Sequence, residues 1–265
     1  MQRECPICGN EFIVSKRQGD YSLAERCTCK VKCTLCGGVG FTFVTNDQGY
    51  TNAVPCECSP LDQRIKFYNH ARLPARYNQA SFMNFETPDL QKRNARALAN
   101  RFASEFVAGQ RGILYYGPCG TGKTHLMVAI LRHLLIKRGV QVRFVEFMHL
   151  LSDLRASFDQ GRHGSAEALI EPLIHIPVLA IDELGKGRGT EWELSVLDEL
   201  ISKRYNANRT TLFTTNYAPG RGNGGADGQQ VLVDRVGERI YSRLIEMCHL
   251  QPMNGEDYRR RAAFG

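Results

Sequence analysis

Residues 113–116, 177–181 and 210–215 are short runs that are almost wholly apolar or β-branched, the pattern of strands buried on both faces of a sheet. Residues 141–146 and 248–250 read as two further strands. Between these runs the apolar positions switch to helical spacing. Leu126, Ala129, Ile130, His133 and Leu134 mark a helix over 123–138, with Gly139 as its stop. Leu150, Leu151 and Leu154 mark another over 147–158, and 166–175 follows after a polar break. Thr190 and Glu193 form a capping box that opens a helix to about residue 206, with Trp192, Val196, Leu197, Leu200 and Ile201 facing inward. The last helix is expected over 234–247, after a glycine-rich loop at 217–230. Upstream, 62–72 reads as a short connecting helix. Thr87 is expected to cap a helix with Pro88 in its first turn, carrying Leu98, Phe102 and Phe106 and ending at Gly109. Strands alternating with helices predict an α/β fold, a parallel sheet with helices on both faces.

The chain has 265 residues, enough for one core of ordinary size plus an appendage, and 43% hydrophobic content supports such a core. It shows no signal-peptide pattern and no apolar run near the length of a membrane span, so a soluble, cytoplasmic protein without a membrane partner is expected. A net charge of +7 makes an acidic partner plausible without identifying one.

The cysteines add a second unit. Eight of ten lie between Cys5 and Cys58 in four close pairs. Cys5 and Cys8 are followed by Cys27 and Cys29; Cys33 and Cys36 are followed by Cys56 and Cys58. The repeat predicts two four-thiolate Zn²⁺ sites in a small zinc-ribbon-like domain. Sequential pairing makes each repeat self-contained, and a cross-braced pairing stays open. Each such zinc carries a net charge of −2, so two would lower the formal charge to about +3. Metal supplies the folding energy that so small a segment lacks. Phe41, Phe43 and Tyr50 read first as the ribbon's own core. The expected organisation is residues 1–62 for the zinc domain, 63–86 for a linker and 87–265 for the α/β domain.

Gly117, Pro118, Cys119, Gly120, Thr121, Gly122, Lys123 and Thr124 fit the phosphate-binding P-loop, between a strand and a helix as that mechanism requires. Its glycines let backbone N–H groups approach a phosphate, Lys123 adds a point charge, and Thr124 offers a hydroxyl to Mg²⁺; His125 continues the nucleotide contact. Asp182 and Glu183 end an apolar strand, where ligands bind in open α/β sheets. Asp182 suits Mg²⁺ and Glu183 suits polarisation of an attacking water. Asn216 ends the next strand, placed to orient that water or sense a γ-phosphate. ATP and Mg²⁺ are the expected cofactors, beside two Zn²⁺. The charged tail from Glu256 suggests no chemistry of its own.

The ordered series resembles the DnaC/DnaI/IstB branch of the AAA+ ATPases. It runs from Leu73 to Tyr77 and Ser81 to Phe85 through the P-loop, Asp182 and Glu183, Trp192 and Glu193, Lys203 to Tyr205, and Thr214 to Asn216, to Gly237 to Arg239 and Ser242 to Leu244. The resemblance implies an ASCE-type P-loop sheet and ATP hydrolysis. It implies sensor 1 at Asn216 and an arginine finger at Arg243, with Arg239 the weaker candidate, acting on a neighbouring subunit. It implies self-association through the ATPase domain, single-stranded DNA, and a replicative DnaB-type helicase as partner, docked through the zinc domain, in a replication system of a phage or other mobile element. An IstB-like helper of a DNA transposase is the alternative, and a zinc-dependent nucleic-acid-binding module regulated by the ATPase is a third.

Overall fold

The computed structural model describes residues 5–9, 11–29, 35–37, 41–45, 49, 51–55, 61–159, 165–220 and 230–259. Cys33, Cys56 and Cys58, Tyr50, most of the glycine-rich stretch and the end of the tail lie outside them.

Two antiparallel hairpins come first: β1 (Ile13–Gln18) with β2 (Tyr21–Arg26), and β3 (Phe41–Thr45) with β4 (Thr51–Pro55). Then follow α1 (Leu61–His70), a 3₁₀ turn at Ala75–Tyr77, and α2 (Leu90–Ser104). The α/β domain continues as β5 (Gly112–Tyr116), α3 (Lys123–His133), β6 (Val142–Glu146), α4 (Phe147–Asp159), α5 (Ser165–His175), β7 (Val178–Asp182), α6 (Glu191–Asn206), β8 (Thr210–Thr215), α7 (Leu232–Val236), α8 (Glu238–Met247) and β9 (Cys248–Pro252). The last five strands form one parallel sheet in the order β6-β7-β8-β5-β9.

Side-chain alternation along the strands divides the core into two layers. Ile113, Tyr115, Val178, Ala180 and Leu212 face a cluster built with α1, α2 and α3. Leu114, Leu179, Ile181 and Phe213 face the other, built with α4 to α8. Every residue of β7 and β8 is buried, as expected for central strands. Tyr116 pairs with Thr215, and Ile181 with Phe213, so the C-terminal ends of β5, β7 and β8 open on one edge.

Several expected boundaries move. Asp89, not Thr87, caps α2: its carboxylate accepts from the Lys92 amide at 2.7 Å, and the helix stops at Ser104, before Gly109. The α3 helix closes at His133 and widens into a π turn over Leu134–Arg138, which Gly139 ends at φ +62°. The expected helix over 234–247 is two, because Gly237 turns the chain between α7 and α8 at φ +79°.

The stretch expected as a linker carries α1 and packs into the α/β core through Tyr68, Ala71 and Leu73. The Phe144 amide of edge strand β6 donates to Ala71 O at 2.8 Å. On its other side the same stretch meets β2, where the Ser22 amide donates to Leu73 O at 2.8 Å and the Ala75 amide to Asp20 O at 2.9 Å. Ile13 and Ala24 of the first hairpin lie in the same apolar cluster as Leu126 and Leu131 of α3.

Arg204, in the last turn of α6, is fully buried. Its guanidinium donates to the carbonyls of Leu173, Ile174, Ile176 and Thr210 and to the Thr211 hydroxyl, at 2.6–3.1 Å. It thereby closes the C-terminal end of α5 onto the start of β8.

Candidate functional site

The chain leaving β5 turns at Gly117, whose φ is +134°. A Cβ there would stand 2.4 Å from Met253 O, so only glycine fits. At Gly120 a Cβ would collide with the Asp257 carboxylate at 1.8 Å. The C-terminal segment thus lies directly on the loop, and the Tyr258 amide donates to Gly120 O at 3.1 Å.

The loop curls around Lys123, whose ammonium donates to Gly117 O at 2.7 Å and Pro118 O at 2.6 Å. Burial lowers its pKa to about 8, opposed by Cys119 and Asp182. An anion in the loop is a stronger acceptor for this cation than two neutral carbonyls. Lys92 of α2 reaches the loop from behind and donates to Thr121 O; burial lowers its pKa too.

Thr124 Oγ1 donates to Asp182, 3.0 Å from one carboxylate oxygen and 3.2 Å from the other. Thr214 donates to the same carboxylate. Burial pushes the Asp182 pKa up to about 6, against the pull of both hydroxyls. The Thr214 hydroxyl also accepts from the Glu183 amide at 3.0 Å, so one β8 side chain fixes both acids. Glu183 adopts φ +58°, a left-handed conformation costly for a residue with a Cβ. Its carboxylate pairs with Lys186. Asn216 Nδ2 donates to Cys119 Sγ at 3.2 Å, joining the end of β8 to the loop.

The pocket over this row is lined by Cys119 to His125 together with Glu183, Thr214 and Asn216. His125 uses one ring nitrogen on Ser81 O at 3.0 Å and packs on the Phe85 ring. Burial lowers its pKa. The remaining walls come from residues that the sequence did not assign to the site. Arg76, Tyr77 and Phe85, from the segments that carry the family resemblance, close one side. Tyr258 and Arg259, from the tail expected to have no chemistry of its own, close another. The signal for the tail was positional: β9 lies beside β5 with Pro252 opposite Tyr116, so the chain leaving it emerges at the loop. Arg243 is absent from this lining. It donates to Asp198 at 3.0 Å and lies over the Tyr205 ring, while Arg239 stands 3.4 Å from the same carboxylate.

The sulfurs of Cys5, Cys8, Cys27 and Cys29 all lie within 4.8 Å of one another. Cys5 and Cys27 are 3.9 Å apart, Cys8 and Cys29 3.7 Å. Thiolates about 2.3 Å from a tetrahedral zinc stand about 3.8 Å apart, so the donor set and its spacing fit Zn²⁺. Bonds from the Cys8 and Ile7 backbone draw the Cys5 pKa down to about 7, while burial raises that of Cys8.

The parallel sheet, the loop between β5 and α3, and the acids at the end of β7 define a P-loop ATPase of the AAA+ type. Residues 61–264 match the family described as IstB-like ATP binding protein, and the chain belongs to that family. Among relatives, YdaV of Escherichia coli K12 is 30% identical over 179 residues, covering 68% of this chain and 67% of its own. The replicative helicase loader DnaC of the same strain is 25% identical over 177 residues, 67% of each chain. The crystal structure of the DnaC helicase loader aligns with a TM-score of 0.58 and 29% identity, covering 68% of this chain and 99% of that one. DnaI shares the fold, with a TM-score of 0.56 at 24% identity over 70% of this chain and 93% of its own. No described helix is long and apolar enough to cross a membrane.

Proposed function

We propose that this chain is an ATP-dependent helicase loader, which binds a replicative hexameric helicase of the DnaB type and places it on single-stranded DNA. The observation that carries the reading is the similarity of its ATPase region to nearly the whole crystallised DnaC chain, at 29% identity. Gly117 to His125 hold the nucleotide, with Lys123 at the β- and γ-phosphates. Thr124 and Asp182 would hold Mg²⁺, a cation suited to this pair of oxygen donors, whose charge would offset that developing on the phosphates. Glu183 polarises the attacking water, and Asn216 orients it. Arg243 serves the ATP of a neighbouring copy in the assembled form. Glu183→Gln is expected to bind ATP as the parent does and to lose about 10²–10⁴-fold in hydrolysis. A loss below tenfold in steady-state phosphate release removes the base assignment.

The cysteine repeat holds two zincs, one at the cluster described above and one at Cys33, Cys36, Cys56 and Cys58. Elemental analysis of the purified protein is expected to give two zincs per chain, and Cys33→Ser one; a parent value of one refutes the repeat. The second hairpin is the docking surface for the helicase. Among the described side chains of its strands none lies in either apolar core, and Phe41 and Phe43 are 52% and 74% exposed. Phe41 and Phe43 thus stand exposed where a ribbon core was expected, and Tyr50 lies outside the described residues. Residues 34–63 contain Asp47, Glu57 and Asp62 but no lysine or arginine, a composition unsuited to nucleic acid and suited to an apolar protein surface with basic flanks.

Native mass spectrometry of the chain with its host's replicative helicase, with and without ATP, tests this reading. A defined complex lost in Phe41→Ser/Phe43→Ser is the expected result. No complex, with ATP-dependent oligomers on DNA alone, favours instead the IstB-like helper of a transposase.

A further inference from the structure

We propose that the first four-cysteine site holds one wall of the nucleotide pocket in place, so that zinc ligation by Cys5, Cys8, Cys27 and Cys29 sets nucleotide affinity. The inference rests on reading that cluster as a zinc site and the pocket over the P-loop as the nucleotide site.

The first hairpin is built into the ATPase. The cysteine loop closes on it where the Cys27 amide donates to Phe12 O at 2.8 Å. On the far side of the hairpin, the bonds from Ser22 to Leu73 and from Ala75 to Asp20 hold residues 73–75 beside β2 like a third strand. The turn that follows, Ala75–Tyr77, puts Arg76 and Tyr77 into the pocket lining. Its end is fixed by the same hairpin, because Ser15 Oγ donates to Asn78 O at 2.8 Å. Arg132 locks this corner from α3, the helix that begins with Lys123. Its guanidinium donates to Ser15 Oγ at 2.9 Å, to Tyr68 OH at 2.6 Å, and to Asn78 O. Hairpin, pocket wall and P-loop helix therefore meet in one hydrogen-bonded joint.

A two-stranded hairpin is marginal without outside support, and this one carries its metal ligands on the two chain segments at its open end, Cys5 and Cys8 before Ile13 and Cys27 and Cys29 after Arg26. With the thiolates unligated, β1 and β2 lose their closure and residues 73–78 lose a partner strand. If the wall then stands correctly in about a tenth of molecules, the apparent Kd rises about tenfold.

Isothermal titration of the full chain with ADP, with zinc content measured on the same samples, tests this. Cys8→Ser/Cys29→Ser is expected to lose one zinc, keep the helical circular dichroism of the core, and bind ADP about tenfold more weakly. Ser15→Ala/Arg132→Gln is expected to keep its zinc and also bind more weakly. Affinity within twofold of the parent in a zinc-depleted, folded cysteine variant overturns the proposal. So does unchanged affinity in the Ser15→Ala/Arg132→Gln variant, however the cysteine variant folds. A parent free of zinc removes the metal reading itself, and ADP binding that survives Lys123→Ala removes the assignment of the pocket.

Discussion

Arg204→Ala is expected to lower the free energy of unfolding by about 3–5 kcal/mol. The parent side chain is fully buried and donates to four carbonyls and one hydroxyl from two elements. Alanine leaves those acceptors facing apolar surroundings, and each orphaned buried group costs about 1–3 kcal/mol before relaxation or water entry recovers part of it. Lysine is expected to rescue little, because a single ammonium has three donors and lacks the planar fork that spans α5 and β8. Urea unfolding followed by circular dichroism checks this: the midpoint falls while the slope is kept. A shift worth less than 1 kcal/mol would mean that the joint between α5 and β8 relaxes freely.

Removal of the Arg243 guanidinium is expected to act on turnover and leave folding intact. With Arg243 in the proposed arginine-finger role, Arg243→Ala is expected to lose about 10³–10⁵-fold in the assembly-stimulated ATPase rate. Affinity for ATP in the dilute chain stays at the parental value, since Arg243 is not part of its own pocket. In the single chain Arg243 is engaged by Asp198 on α6, so reaching a neighbour's phosphate requires exchange of that partner. Asp198→Asn weakens the competing contact and is expected to raise stimulated turnover modestly. Phosphate release measured across protein concentration separates these effects. Equal rates with and without Arg243 at every concentration would remove it from the reaction.

The readable parts of the fold were those whose cause is local. Residues 178–181 are continuously apolar because β7 is covered on both faces, and Asp182 and Glu183 are recognisable because they end that run. Thr190 and Glu193 cap α6 as their spacing predicts. Arg204 carried a signal that was not used: it lies four residues after Leu200 on the stripe that includes Val196 and Leu197, so its spacing placed a charge on the buried face. Tyr258 and Arg259 had no such local cause. They reach the pocket only because β9 pairs with β5 rather than with another strand. Arg76 and Tyr77 likewise owe their position to the hairpin beside them, some fifty residues earlier in the chain. The conformation of Glu183 is set by Thr214, 31 residues further on, and no short-range pattern reports it.

The bond between Phe144 and Ala71 bears on how the protein survives at high concentration. Strand β6 is an edge of the sheet, and an open edge is a template on which a second chain can add a strand. Here the stretch after α1 occupies part of that template and is itself backed by β2, so part of the margin is covered. Trimming the chain to its ATPase motifs would uncover this margin together with the surface beneath Ile13 and Ala24. Such a fragment is expected to collect in the insoluble fraction of an expressing cell, whereas the parent stays in the supernatant.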